Sequence, residues 1–272
     1  MIKRLSLFFL IASIVVVSVF FFLKEEPLYI HFVGLRGESI LIKKGPIAVV
    51  IDAGSFSDSA KLADYLRGNN LKNLEHVIIT HPDPDHMGGV FALLSAFDVT
   101  YLYDNGQKIN PKNWLERELF EDYGRFVRED PRYKSLNSPQ KIRVSKDIEI
   151  EVLWPSSADT LDFNRNSLIL LLKYKEFKIL FTADSHIVNE PEFIEKFKDL
   201  GIDILKVPHH AKEGALEEKI LKVFAPKLAV ICAPKKDISY TSSVLEKEGV
   251  AVYIAKLGKD IVISINERME LK

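Results

Sequence analysis

The sequence has a single cysteine, Cys232. It therefore holds neither an intrachain disulfide framework nor a zinc cluster built on several thiolates. It has no excess of charge, since 37 Lys and Arg stand against 38 Asp and Glu, a formal net charge of −1. That excludes a surface that is basic all round, as a non-specific nucleic-acid binder would carry. With 13 Gly and 12 Pro in 272 residues there is no surplus of either, which excludes collagen-like and low-complexity chains. No internal repeat is present, so a solenoid is excluded as well. What remains, 47% hydrophobic and 28% charged, is a globular composition of a length that allows one large domain or two small ones.

There is one long hydrophobic run. Lys3 and Arg4 precede an uncharged stretch from Leu5 to Leu23, 19 residues. As a helix it reaches roughly 28 Å, enough for a bilayer core. Basic residues before it and Lys24-Glu25-Glu26 after it favour the N-terminus inside and the remainder outside. No A-x-A-like cleavage site follows Leu23, so a transmembrane anchor is expected ahead of a cleaved signal peptide. This divides the chain into an anchor, residues 1–26, and an exported part, residues 27–272. The exported part would sit on the extracytoplasmic side of the cell membrane, held by a single pass, or be secreted if the signal were cleaved.

The exported part alternates strand and helix patterns. Strands are predicted over 28–33, 39–42, 47–51, 77–80, 100–103, 148–153, 167–174, 177–182, 203–207, 228–232, 251–255 and 260–265. Ser57 and Asp58 can cap a helix running to about residue 67. The segment Gln107–Lys146 differs in character. A helical core is predicted from Trp114 to about Glu129, with ten Lys or Arg against six Asp or Glu and several aromatic residues. It reads as an insertion or lid between two halves. Strands in each half with helices interspersed suggest two sheets packed face to face, helices outside.

The densest polar cluster is Thr80-His81-Pro82-Asp83-Pro84-Asp85-His86-Met87-Gly88-Gly89. Four candidate metal ligands fall within six residues, directly after an apolar strand. Several deprotonated donors must converge on one cation, and this loop supplies them. Pro82 and Pro84 stiffen it, and Gly88-Gly89 would let the next helix approach closely. Asp184, beyond the strand 177–182, could bridge two cations. His209-His210, beyond the strand 203–207, suits metal ligation or acid–base work. His31 and His76, in or beside strands, read as structural.

These segments resemble a known family. His81–Gly89 is similar to the signature loop of the metallo-β-lactamase fold, H-x-[HD]-x-D-H, in the form with Asp in the second place found in the hydrolase domain of ComEC-type competence proteins. His31–Ser39 resembles that family's opening strand and Gly turn, and Ile51-Asp52-Ala53-Gly54 its second-strand ending. Asn166–Leu170 resembles its N-x-S-L-V element, Thr182-Ala183-Asp184 its T-G-D, and Leu205–His210 its L-K-V-P-H-H. The resemblance runs from about Leu28 to Ile265.

It implies an α/β fold, an αββα metallo-β-lactamase sandwich behind the N-terminal transmembrane helix. It implies one metal site at Asp85, His86 and His209, and a second at His81 and Asp83, with Asp184 bridging and one or two divalent ions, Zn²⁺ or Mn²⁺, activating water. Asp85 and His210 are the candidate catalytic residues. Asp83 in place of His makes the second site richer in oxygen and more open to Mn²⁺. The implied function is that of a membrane-anchored, exported, metal-dependent phosphodiesterase or nuclease acting on DNA or another phosphodiester. The alternatives are a hydrolase of small esters, lactones or phosphodiesters, and a degenerate member that only binds. Departures from the family pattern are Ala183 for glycine, Ala211-Lys212 for Gly-Ser, and the absence of any His after His210.

Overall fold

The computed structural model describes residues 26–272 except 110, 112, 113, 159–161 and 234–237. The apolar run Leu5–Leu23 lies outside the described residues. Among the described residues no helix is long and apolar enough to cross a membrane.

Fifteen strands among the described residues form two sheets. The first begins as an antiparallel meander, β1 (Leu28–Phe32), β2 (Ile40–Lys44) and β3 (Ile47–Ile51). Helix α1 (Ser59–Gly68) then carries the chain to β4 (Asn73–Ile78), which pairs parallel with β3. One helical turn, α2 (Pro84–Met87), and α3 (Val90–Ala96) lead to β5 (Asp98–Asp104), again parallel. Helix α4 (Trp114–Tyr123), extended by a π-helical turn over Gly124–Arg128, leads to the short edge strand β6 (Tyr133–Ser135).

The second sheet repeats this plan. β7 (Lys141–Arg143), β8 (Ile148–Trp154), β9 (Ile169–Tyr174) and β10 (Phe177–Phe181) run antiparallel. After α5 (Pro191–Phe197), α6 (Glu218–Phe224) and α7 (Ser239–Lys247), the strands β11 (Ile204–Lys206), β12 (Leu228–Cys232) and β13 (Ala251–Ala255) add in parallel. The chain then returns to the first sheet, where β14 (Ile261–Ile265) pairs with β1, and β15 (Met269–Leu271) forms its edge.

Alternation of side chains explains the layering. Leu28, Ile30 and Phe32 of β1 meet Leu170 and Leu172 of β9 and Phe181 of β10 in the core between the sheets. Leu41, Val50 and Val77 turn the other way, onto Leu62, Leu66, Leu93 and Tyr123 of the helices. On the far side Leu171, Leu205 and Ile231 face Phe193, Ile220, Phe224 and Leu245. Strands buried on both faces read as unbroken apolar runs. The four layers are helices, sheet, sheet, helices, as the resemblance implied.

Two local expectations change. The segment Gln107–Lys146 does carry the predicted helix, but it also supplies β6 to one sheet and β7 to the other. Asp58 does not cap α1 through its side chain. Its carboxylate instead accepts the backbone N–H groups of Arg36, Gly37 and Ser55, which pins the Gly turn before β2.

Candidate metal centre

Four strand ends deliver the site. Asp52 follows β3, Thr80-His81 lie just past β4, Asp184 past β10, and His209-His210 past β11. β3 and β4 are parallel, as are β10 and β11, so each pair opens on one edge. The carboxyl ends of parallel strands are where such sheets leave a crevice. Gly88 and Gly89 let the metal-type loop press against residues 53–56, because a Cβ on Gly89 would collide with the Ala53 carbonyl and one on Gly88 with the Phe56 amide. Strain collects here too. Asp52 (φ 58°), Ala183 (46°), His209 (49°), His210 (53°) and Ala211 (62°) adopt left-handed backbone, at roughly 1–2 kcal/mol each.

Hydrogen bonds fix the tautomers of three imidazoles. Thr80 Oγ1 has one hydrogen, and it faces the Asp52 carboxylate at 2.8 Å. Toward His81 Nδ1, 3.0 Å away, the same oxygen must accept, so His81 Nδ1 carries the hydrogen. His86 Nδ1 donates to Asp52 Oδ2 at 2.7 Å. His210 Nδ1 donates to the Cys232 carbonyl at 2.9 Å. In neutral rings this leaves Nε2 of all three as a lone pair, the form that binds metals.

Those lone pairs converge on oxygen acceptors. His86 Nε2 lies 3.3 Å from Asp184 Oδ1, and His210 Nε2 lies 3.6 Å from Asp184 Oδ2 and 3.3 Å from Asp85 Oδ2. His81 Nε2 is 3.5 Å from Asp83 Oδ2, and its ring centroid is 4.1 Å from that of His86. His81 Nε2, His86 Nε2, His210 Nε2 and Asp184 Oδ1 are all buried without a hydrogen-bond partner. Buried acceptors facing acceptors are costly unless a cation lies between them. Ligand atoms of Glu38, His86, Asp184 and His210 lie within 4.8 Å of one another. The donor set fits a divalent cation.

Burial opposes a charge on His86, yet Asp184 and Asp52 outweigh it and hold the imidazole well above its ordinary range. Burial likewise opposes charge on Asp184, while His86, His210 and Lys206 hold its carboxyl well below the usual range. The carboxylates that favour a proton on His86 would favour a cation in its place, and that cation would have to displace the proton to bind. Lys206 is buried, 2.5 Å from Glu38 Oε2 and 4.0 Å from Asp184 Oδ1, and donates to the Ala183 carbonyl at 2.7 Å. Burial works against its charge, but Glu38 and Asp184 raise its pKa.

The structure thus brings together His81, Asp83, Asp85, His86, Asp184, His209 and His210. It divides the histidine pair unequally. His210 is turned inward to Asp85, whereas His209 reaches only Asp184, at 3.7 Å, and stays at the rim with 22% of its side chain exposed. Sequence reasoning missed Asp52, Thr80, Glu38 and Lys206 as parts of the site. Lys206 offered a signal, a lysine inside the apolar run Ile204-Leu205-Lys206-Val207, since lysine is almost never fully buried unless paired.

Comparison with known proteins gives the same picture. A match to the family described as Metallo-beta-lactamase superfamily covers residues 34–235. The chain is 28% identical over 176 residues to ComE operon protein 3 of Bacillus subtilis (strain 168), covering 65% of this chain and 22% of that protein. It is 26% identical over 202 residues to Recombination protein 2 of Haemophilus influenzae (strain ATCC 51907 / DSM 11121 / KW20 / Rd), covering 72% and 23%. The chain therefore spans less than a quarter of the length of these curated relatives. Among solved structures, the metallo-beta-lactamase fold protein YhfI from Bacillus subtilis superposes with a TM-score of 0.58 at 14% identity, covering 87% of this chain and 100% of that one.

Proposed function

Because this chain belongs to the metallo-beta-lactamase superfamily and is one of its hydrolases, with a candidate metal-binding group, we propose that it is a metal-dependent phosphodiesterase of the ComEC-like type, acting on DNA or a smaller phosphodiester. The observation that carries this reading is the convergence of two tautomer-fixed imidazoles, His86 and His210, on the Asp184 carboxylate, with His81 Nε2 beside them against Asp83. Asp85, His86, His210 and Asp184 fit one cation; His81, Asp83 and Asp184 fit a second. His210 takes the ligand role that the resemblance gave to His209, because its Nε2 alone of the two faces Asp85. One or two divalent ions, Zn²⁺ or Mn²⁺, would supply an ionised water and neutralise the phosphate.

The chain's own groups do the rest. Asp52 holds His86, and Thr80 holds His81, so neither ring can turn. Glu38 and Ala183 hold Lys206 beside Asp184, where its charge offsets the crowd of carboxylates. His209, at the rim, is left to face substrate. The relatives' names and the surplus of four positive charges in Gln107–Lys146 support a nucleic-acid substrate. The run Leu5–Leu23 would tether residues 27–272 to the outer face of the cell membrane. Protease added to intact spheroplasts should degrade the domain, and protection from it would overturn that placement.

The test is cleavage by the full chain in detergent with Mn²⁺, on single- and double-stranded DNA and on bis(p-nitrophenyl) phosphate. We expect hydrolysis that EDTA and Asp85→Ala abolish. Cleavage of a lactone or lactam with all phosphodiesters left intact would end the phosphodiester reading. The lack of any His after His210 favours a second reading, a member that binds without cleaving. Substoichiometric metal that added Mn²⁺ or Zn²⁺ does not raise would support it.

A further inference from the structure

At one side of the molecule the edge strands β6 and β7 leave an opening between the two sheets. A cavity of about 400 Å³ lies there, lined by His76, Tyr101, Tyr103, Lys134, Lys141 and Arg143 among others. It is of the size that small-molecule sites occupy. It is not part of the metal centre: His76 precedes His81 by five residues along the strand direction, roughly 16 Å of extended chain.

Register explains what lines it. His76 of β4 is directly opposite Tyr101 of β5, and Tyr103 follows two residues on, so the three side chains stand on one face. Their rings are nearly parallel. His76 and Tyr101 have centroids 5.1 Å apart at 16°, His76 and Tyr103 5.8 Å at 23°, and Tyr101 and Tyr103 6.3 Å at 26°. Tyr101 is 38% exposed and forms the open end of this set. His76 is 4% exposed, and both of its ring nitrogens are buried without a hydrogen-bond partner. Stacking against Tyr101 and Tyr103 accounts for the place of the ring, but a buried imidazole with neither nitrogen paired is destabilised unless a ligand pairs it. Around the rings the charge is of one sign. Lys134 lies 5.8 Å over the Tyr101 ring, Arg143 and Lys141 line the wall from β7, and no acidic side chain lines the cavity. Lys141 is already engaged with Glu149 at 3.0 Å, which leaves Lys134 and Arg143 as the groups for an anion.

Parallel rings select a flat π-system, buried imidazole nitrogens select a ligand with hydrogen-bonding edges, and the cationic rim selects an anion. We propose that this cavity binds a nucleotide, its base against Tyr101 and His76 and its phosphate between Lys134 and Arg143. Aliphatic ligands would make no use of the rings, and a bare inorganic anion would use only the rim. The inference stands on the cavity and does not require the hydrolytic reading.

The experiment is a calorimetric titration of the full chain in detergent and EDTA with thymidine 5′-monophosphate, thymidine and inorganic phosphate. We expect saturable binding of the monophosphate, tighter than of either fragment. Tyr101→Ala should weaken it roughly tenfold, the worth of one base stacked on an aromatic side chain. Lys134→Glu, on the surface and outside the core, should weaken it without disturbing packing. Absence of saturation, wild-type affinity in either variant, or inorganic phosphate binding as tightly as the nucleotide would overturn the proposal. Intact nucleotide binding in a chain that cleaves no phosphodiester would sink the hydrolytic reading and leave this one standing.

Discussion

Two buried aspartates, Asp104 at the end of β5 and Asp184 beyond β10, show how a structural carboxylate differs from one that awaits a ligand. Asp104 Oδ1 accepts from the Tyr133 hydroxyl at 2.6 Å and the Gly106 amide at 2.6 Å. Its Oδ2 accepts from Arg128 Nε at 2.7 Å and the Tyr123 hydroxyl at 3.1 Å. Four donors meet four acceptor positions, and helix, π-helical turn and edge strand are tied to one point. Asp184 is also buried, but it faces the Nε2 atoms of His86 and His210, and its Oδ1 meets no backbone or hydroxyl donor and has no hydrogen-bond partner. The first carboxylate is complete in the folded chain. The second has acceptor capacity left over, which the proposed cation would use.

The largest expected effect separates the two directly. Asp184→Asn should lower metal-dependent hydrolysis about 10³-fold or more, roughly 4 kcal/mol of transition-state stabilisation. It should also abolish stoichiometric metal binding. In EDTA it should cost some stability, since His86, His210 and Lys206 favour the charged carboxylate, but the stabilisation that added metal gives the wild type should vanish; metal-dependent stabilisation that survives the substitution would erase the contrast. Asp104→Ala should behave the opposite way. It strands Arg128 beside two tyrosines and should cost about 3–5 kcal/mol in urea unfolding, with or without metal.

A smaller effect is expected one step behind the ligands. Asp52→Asn keeps the shape but weakens its hold on His86, and should reduce metal affinity about 10–100-fold in a competition titration. The smallest effect sharpens the comparison from the side of the histidines. His86 is raised by its two carboxylates, whereas His76, with burial alone acting on it, is pushed down to about 4. His76 is therefore neutral in the fold and protonated in the unfolded chain below about pH 6.5, so its contribution is full above that pH and is lost as pH falls toward 4. The stability of the wild type relative to His76→Phe should drop by about 1 kcal/mol between pH 7 and 5.5. A difference that does not change with pH would show that His76 is not held neutral.

The fold was readable wherever a strand is long and apolar on both faces. β9 and β10 announce themselves in Leu168–Tyr174 and Phe177–Phe181, and so do the polar residues at their ends. β6 and β7 did not, because Tyr133-Lys134-Ser135 and Lys141-Ile142-Arg143 are too short and too charged to show a period of two. In the site, His81, Asp83, Asp85 and His86 were legible because they share one loop. Asp52 and Glu38 were not, since each looks like an ordinary residue at a strand end and acquires its role only from partners 34 or more residues away. Adjacent histidines cannot be ranked by sequence either. It is the left-handed backbone at residues 209–211 that turns His210 inward and His209 out. The Asp104 hub went unseen for the same reason, its partners being scattered over 29 residues.

The Ala183 carbonyl takes two hydrogen bonds, one from Lys206 Nζ at 2.7 Å and one from the His209 amide at 3.0 Å. A single oxygen, on a residue in strained conformation, thus gauges the bite between the acid that follows β10 and the imidazoles that follow β11. Relaxing that residue, as Ala183→Gly would, loosens a calliper while every ligand stays in place, and the ionic radius the jaws prefer would be the first property to drift.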